Sequence, residues 1–201
     1  NLENIVSFGY TGASPALMNA CAERDIGLCF LTPHGHFQAR VSGKIRGNVL
    51  LRKKQYQISD AEEYSVLIGG SFLLGKIANC RKVLQRAIRD HAYSVDVQKI
   101  SEASEGLKGS MKEIEKCRSN AALMGIEGSA AKIYFQVFDE LILQQKEDFY
   151  FRERSRRPPL DNVNALLSFL YTLLTNEVAS ALETVGLDPY VGFLHQDRPG
   201  R

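Results

Sequence analysis

From about Gly47 onward the apolar residues return every third or fourth position, and before it they do not. A repeat near 3.6 belongs to helices and strict alternation to strands, so this change of period divides the chain. Residues 1–46 read as the C-terminal part of an N-terminal β-rich domain, residues 47–201 as an α-helical domain. The expected class is α+β, mainly α: a truncated β-rich domain followed by an all-helical one. No internal repeat is visible.

In the first part, "NIVSFG" is strand-like, and Ser14-Pro15 supplies an N-cap and a proline at the first helical position for a short helix through Arg24. "IGLCFL" reads as a buried strand, "TPHGH" as a turn, and "FQARVS" as an alternating strand with Phe37, Ala39 and Val41 on one face. In the second part, Ser59 and Glu62 have capping-box spacing ahead of a helix to about His91, weakened at Gly69-Gly70. Further helical sequence covers residues 97–117. Another helix starts near Gly125, with Ile126, Ala130, Ile133, Val137 and Leu141 in register. After the proline-broken loop "FRERSRRPPLD", a long helix carries Val163, Leu166, Leu167, Leu170, Leu174, Val178, Ala181 and Val185, and stops at Gly186 with Pro189 beyond.

With 201 residues and a net charge of +2, total charge selects no partner, but its distribution does. No acid occurs between Asp25 and Asp60, where Arg40, Lys44, Arg46, Arg52, Lys53 and Lys54 lie. Lys82, Arg86 and Arg89 share one helix face, opposite Leu73, Ile77, Leu84 and Ile88. Arg152, Arg154, Arg156 and Arg157 crowd the loop before the long helix. Each cluster alone is an ordinary solvated surface; three in a nearly neutral chain favour a polyanion such as nucleic acid.

Cys21, Cys29, Cys80 and Cys117 form no CxxC pair, which favours reduced thiols and a cytoplasmic protein. Cys21 and Cys29 with His34 and His36 match no common zinc spacing. The uncharged, leucine-rich stretch Asn162–Asn176 falls short of the ~20 apolar residues of a membrane span, so no membrane is expected. A start at Asn1 rather than Met suggests an internal piece of a longer polypeptide.

Glu127 stands between Gly125 and Gly128, with Ala130, Ala131 and Tyr134 on its own helical face. Two readings stand here: a residue complementing the dipole of a helix start, or a ligand for something positive. His195 follows the apolar run "PYVGFL" and precedes the polar "QDRPGR"; it reads as a structural histidine or as a second ligand. Glu, His and a further carboxylate would suit Mg2+ or Mn2+. GIEGS is not a nucleophile elbow.

The blocks "GIEGSAAKIYF", "RRPPLDNVNALLSFLYTLL" and "GLDPYVGFLHQDRPGR" resemble, in order, those of the CRISPR-associated endonuclease of the spacer-adaptation module, the integrase subunit numbered one. Residues 1–43 look like the later part of that family's β domain, and "GNVLLRKKQ" like the helix entering its catalytic domain. The resemblance implies that residues 47–201 are the family's helical catalytic domain, with Glu127 and His195 as metal ligands. It implies further acidic ligands beyond the histidine; Asp197 sits too close after it to match them, so the 201-residue chain is expected to be inactive. Asn164 matches an asparagine of the long-helix block, and Arg156 and Arg157 its basic loop, all expected to face DNA with Lys82, Arg86 and Arg89.

The function so implied is a metal-dependent DNA endonuclease and integrase of CRISPR adaptation. It inserts short fragments into a repeat array by transesterification, uses Mg2+ or Mn2+, and forms a homodimer bridged by a small ferredoxin-like adaptation subunit. The alternatives are a non-catalytic helical DNA-binding module, in which Glu127 caps and His195 packs, and a structural protein that binds an acidic partner.

Overall fold

The structure is a computed structural model and describes residues 2–41, 43 and 49–195. It is an α+β fold, mainly helical, as the change of period predicts. Contacts group the chain into two units, residues 1–56 with 166–191 and residues 57–165 with 192–201. The expected division between residues 46 and 47 lies outside the described residues, as do Lys44, Arg46 and Asp197.

The first unit holds a three-stranded sheet: β1 (Asn4–Phe8), β2 (Gly27–Leu31) and β3 (Phe37–Val41). β1 and β2 are parallel, which requires a crossover, and helix α1 (Pro15–Glu23) supplies it. Ser14 caps α1 by accepting the Leu17 N–H at 3.2 Å, with Pro15 at the first turn. β2 and β3 pair antiparallel through a turn in which Gly35 takes a φ of 80°, conformation that favours glycine. Cys21, Leu28, Cys29 and Leu31 form the buried interior here, and burial pushes the Cys29 thiol up.

Helix α6 (Asn162–Thr184) ends where Gly186, at φ 83°, turns left-handed; the Leu187 N–H returns to Leu182 O at 2.9 Å. Its apolar stripe is not the buried face that the periodicity suggests. Leu166, Leu170, Leu174 and Val178 are about half exposed. By length and composition α6 is the one helix among the described residues apolar enough to cross a membrane. The uncharged count stops at Asn176, but the helix runs on through Glu177 and Glu183. Both acids bond within the first unit: Glu177 accepts from Asn4 Nδ2 at 2.8 Å, and Glu183 pairs with Arg40.

The second unit is built on α3 (Glu62–His91), α4 (Val97–Lys116) and α5 (Asn120–Gln136), preceded by α2 (Val49–Asp60). Its core comprises Leu73, Ile77 and Leu84 of α3, Ile100, Ala103, Leu107 and Ile114 of α4, and Leu123 and Ala130 of α5. The expected weak point at Gly69-Gly70 is absent: α3 runs unbroken, and both glycines are buried. A Cβ at Gly70 would stand 3.5 Å from Ile114 and 4.0 Å from Leu123; one at Gly69 would stand 3.5 Å from Leu194. The small residues let three elements approach α3 at one place.

Ser59 does not mark the start of α3. Ser59 lies inside α2, Ala61 is the N-cap of α3, and it makes no side-chain cap bond. Glu62 caps a different helix instead, accepting the Asn120 N–H of α5 at 3.2 Å. Local spacing identified the right acid and the wrong helix end.

Leu107 is fully buried while its neighbour Lys108 is exposed. Leu107→Ala is expected to cost about 2–5 kcal/mol in urea unfolding, and Lys108→Ala less than about 0.5 kcal/mol.

Candidate functional site

Glu127 is not at a helix start. α5 begins at Asn120, capped by Ser119, whose Oγ accepts the Ala122 N–H at 3.3 Å. That places Glu127 in the third turn, where the favourable field of the first turn has faded. The dipole reading therefore falls. Its carboxylate, about one quarter exposed, accepts from Lys76 Nζ of α3 at 2.6 Å. Gly125 and Gly128 flank it mid-helix, both exposed, and a Cβ at either would meet nothing within 4 Å. Each glycine costs the helix about 1 kcal/mol relative to alanine, and no packing explains either.

On the same face of α3, Lys76 lies seven residues beyond Gly69, two turns or roughly 10 Å along the axis. Gly69 is where Leu194 rests, with Leu194 packed against the helical core. Its neighbour His195 is exposed rather than packed. Glu127 and the segment bearing His195 thus meet one face of α3; no hydrogen bond or ion pair joins the two side chains. Lys76 has no signature in the sequence, because its pairing depends on how α3 crosses α5.

Lys82, Arg86 and Arg89 are exposed, opposite buried Ile77 and Leu84 and partly buried Ile88. The stripe is partly neutralised. Asp90 accepts from Arg89 Nε at 2.7 Å and from Arg86 Nε at 3.2 Å. The Arg89 hydrogen bond, reinforced by Arg86, holds the Asp90 carboxyl down from 3.8 to about 2.

The arginine loop is anchored to an aromatic cluster. Phe151 is buried, stacks on Phe135 with centroids 5.4 Å apart, and its N–H donates to Asp139 Oδ1 at 2.7 Å. Arg152, Arg156 and Arg157 are exposed, and Arg152 lies over the Tyr150 ring at 5.5 Å. Asn164, expected to face DNA, is instead wholly buried at the start of α6. Its Oδ1 accepts from Arg154 Nη1 at 2.7 Å and from the Ser155 N–H at 3.0 Å. Its Nδ2 donates to Glu153 O at 2.8 Å and to Asp161 Oδ2 at 2.7 Å. The amide is fully used inside the protein.

In the first basic cluster Arg40 pairs with Glu183, and Arg52 Nε donates to Gly186 O at 3.0 Å. The first unit also contains a cavity of about 680 Å³ whose acids include Glu177, Glu183 and Asp188. These are engaged too: Tyr56 Oη donates to Asp188 at 2.6 Å and, with the Tyr190 N–H, holds that carboxyl below its ordinary range. His34 and His36 are exposed, and Cys21 and Cys29 are buried free thiols.

For a divalent ion, Glu127 offers a hard oxygen ligand that already holds a cation, on a bare helix flank. His195 is an exposed imidazole. Among the described residues no group of three His, Cys, Asp or Glu is placed to hold a metal. The ligand chemistry of Glu127 and of His195 suits such an ion, and no third ligand among the described residues completes a site with them.

Residues 1–201 match the profile of the family described as CRISPR associated protein Cas1. The CRISPR-associated endonuclease Cas1 1 of Chlorobaculum tepidum is 46% identical over 200 residues, covering 100% of this chain and 58% of that protein. A CAS1 protein from Thermotoga maritima superposes with a TM-score of 0.76 at 25% identity, over 98% of this chain and 60% of that one. A chain of a partial Cas6-RT-Cas1–Cas2 complex superposes with a TM-score of 0.68 at 25% identity, over 99% of this chain and 58% of that one. The chain thus spans somewhat more than half the length of the curated relatives it matches. On the match along its whole length, it belongs to the Cas1 family of CRISPR-associated proteins.

Proposed function

We propose that this chain is the core of a metal-dependent DNA endonuclease and integrase of CRISPR adaptation, which joins short fragments to a repeat array by transesterification. The observation that carries the reading is Glu127: a mid-helix, partly exposed carboxylate that holds the surface ammonium of Lys76. Such a carboxylate has no packing role and is open to exchange one cation for another. Membership of a family whose named relatives are endonucleases supports it.

In this reading Glu127 and His195 hold a Mg2+ or Mn2+ ion, which supplies Lewis-acid activation of a hydroxyl and charge neutralisation at phosphate. Gly125 and Gly128 admit a DNA backbone close to α5. Lys82, Arg86 and Arg89, with Arg156 and Arg157, bind phosphates and set affinity without reading sequence. As a 201-residue chain, with no third ligand among the described residues, it binds divalent ions poorly and does not nick DNA. The solved complex with Cas2 motivates the remaining proposals: a homodimer bridged by a small ferredoxin-like subunit, acting in the cytoplasm without a membrane.

The non-catalytic DNA-binding reading had Glu127 capping and His195 packing; Glu127 lies mid-helix and His195 is exposed. Neither premise supports it.

Plasmid nicking in Mn2+ by the chain extended to the length of its relatives tests the proposal. Glu127→Gln is expected to lower the rate roughly 100-fold or more while DNA affinity changes less than about twofold. Full activity in that variant overturns the catalytic role. Reversing Lys82, Arg86 and Arg89 to Glu is expected to flatten the slope of log K against log salt by about 2–3.

Asp90 gives a pH test. Its folded-state pKa is depressed, so its ion pairing is present above the ordinary value of 3.8 and is lost as pH falls through about 2. Carboxyl NMR is expected to show the low titration and its upward shift in Arg89→Ala. Asp90→Asn, which frees two guanidiniums, is expected to raise DNA affinity at neutral pH.

A further inference from the structure

The four arginines of the loop before α6 do not point the same way. Arg152, Arg156 and Arg157 are exposed, whereas Arg154 is partly buried and donates through Nη1 to Asn164 Oδ1 at 2.7 Å and to Ser155 O at 2.5 Å. Asn164 sits between opposite charges, its oxygen toward the Arg154 guanidinium and its nitrogen toward Asp161. Only this amide orientation satisfies all four partners. Asp161 also accepts the Asn164 N–H at 2.7 Å, so the residue that caps α6 joins the same network. Leu160 N–H donates to Ser155 Oγ at 3.0 Å, and Asn162 Nδ2 to Asp148 O at 2.9 Å, which close the loop on itself.

We propose that Asn164 is a positioning residue, whose buried amide clamps the 153–161 loop with Arg154 turned inward and so presents Arg152, Arg156 and Arg157 as a fixed array for a phosphodiester backbone. The assignment rests on the reading above that this loop meets DNA. It makes Asn164 a support for that contact rather than part of it. A phosphate or base edge reaching Asn164 would have to break bonds that are already made, in a site closed to solvent. Holding the array in place removes part of the ordering cost that flexible arginines incur on binding. Arg154 is the tie, not a phosphate ligand.

The test measures fluorescence anisotropy of a labelled DNA duplex across a salt series, together with tryptic cleavage within the loop and thermal melting. Asn164→Ala is expected to speed cleavage after Arg156 and to weaken binding by about tenfold, while in an Arg156→Ala/Arg157→Ala background it weakens binding less than about twofold. An equal loss in both backgrounds would mark a merely structural role and overturn the proposal. So would faster cleavage with unchanged affinity. If Asn164→Ala does not fold, Asp161→Asn decides: it keeps a capping residue and removes a negative charge, so electrostatics alone would strengthen DNA binding, whereas a loosened clamp weakens it. Stronger binding there overturns the clamp. Should Arg156→Ala/Arg157→Ala bind as the parent does, the loop is no DNA contact and the functional reading of it fails. Unchanged cleavage in Asn164→Ala sinks the clamp itself.

Discussion

The helical unit depends on one close approach. At Gly69 and Gly70 the α3 surface carries no side chains, and Ile114 of α4, Leu123 of α5 and Leu194 of the C-terminal segment converge there. A side chain larger than a methyl group would compete with all three for the same space. From that point α3 runs two turns to Lys76, which meets Glu127 of α5. The same contact that closes the core therefore sets where the Glu127 carboxylate lies and where the segment bearing His195 is seated. Gly69-Gly70 is the fulcrum of that arrangement.

Local stability has been given up near Glu127. Two exposed glycines in the interior of α5 weaken that helix by about 2 kcal/mol together, and nothing packs against either. The burial of Leu123, Ala130 and Ile114 offsets this, since most helical stability in a protein comes from tertiary contact. A surface ion pair with a half-exposed lysine contributes little by comparison. The sum is a helix weak in its own right and firmly held by its tertiary contacts.

How much of this is legible in the sequence depends on how local each cause is. The change of hydrophobic period separates strands from helices, and Ser14-Pro15 and Gly186 mark helix ends, because those signals act within a few residues. Ser59 and Glu62 mislead because a capping box is defined by spacing alone, while Glu62 caps a helix 58 residues away. The start of α5 is misplaced by five residues because Gly125 resembles a boundary and Ser119, the true cap, is inconspicuous beside Cys117 and Arg118. The α6 stripe is helical as expected, but periodicity cannot say what covers it. Asn164 stands out only by resemblance; its burial follows from Arg154 folding inward, which no pattern of charges announces.

The three basic clusters, equal when charges are counted, are unequal once their partners are known. In the first, Arg40 and Arg52 are spent on Glu183 and the Gly186 carbonyl, so their charges organise the chain more than they attract ligands. In the second, Asp90 holds both guanidinium groups and leaves only the Lys82 ammonium, so a phosphate must compete with a carboxylate already in place. In the third, the inward Arg154 is balanced by Asn164 and Asp161, while its three neighbours remain exposed around it. Association with a polyanion responds to cations that can exchange counterions for phosphates, not to formal charge. By that measure the loop before α6, which in the sequence reads as a proline-broken loop, keeps more of its arginines exposed than either other cluster among the described residues.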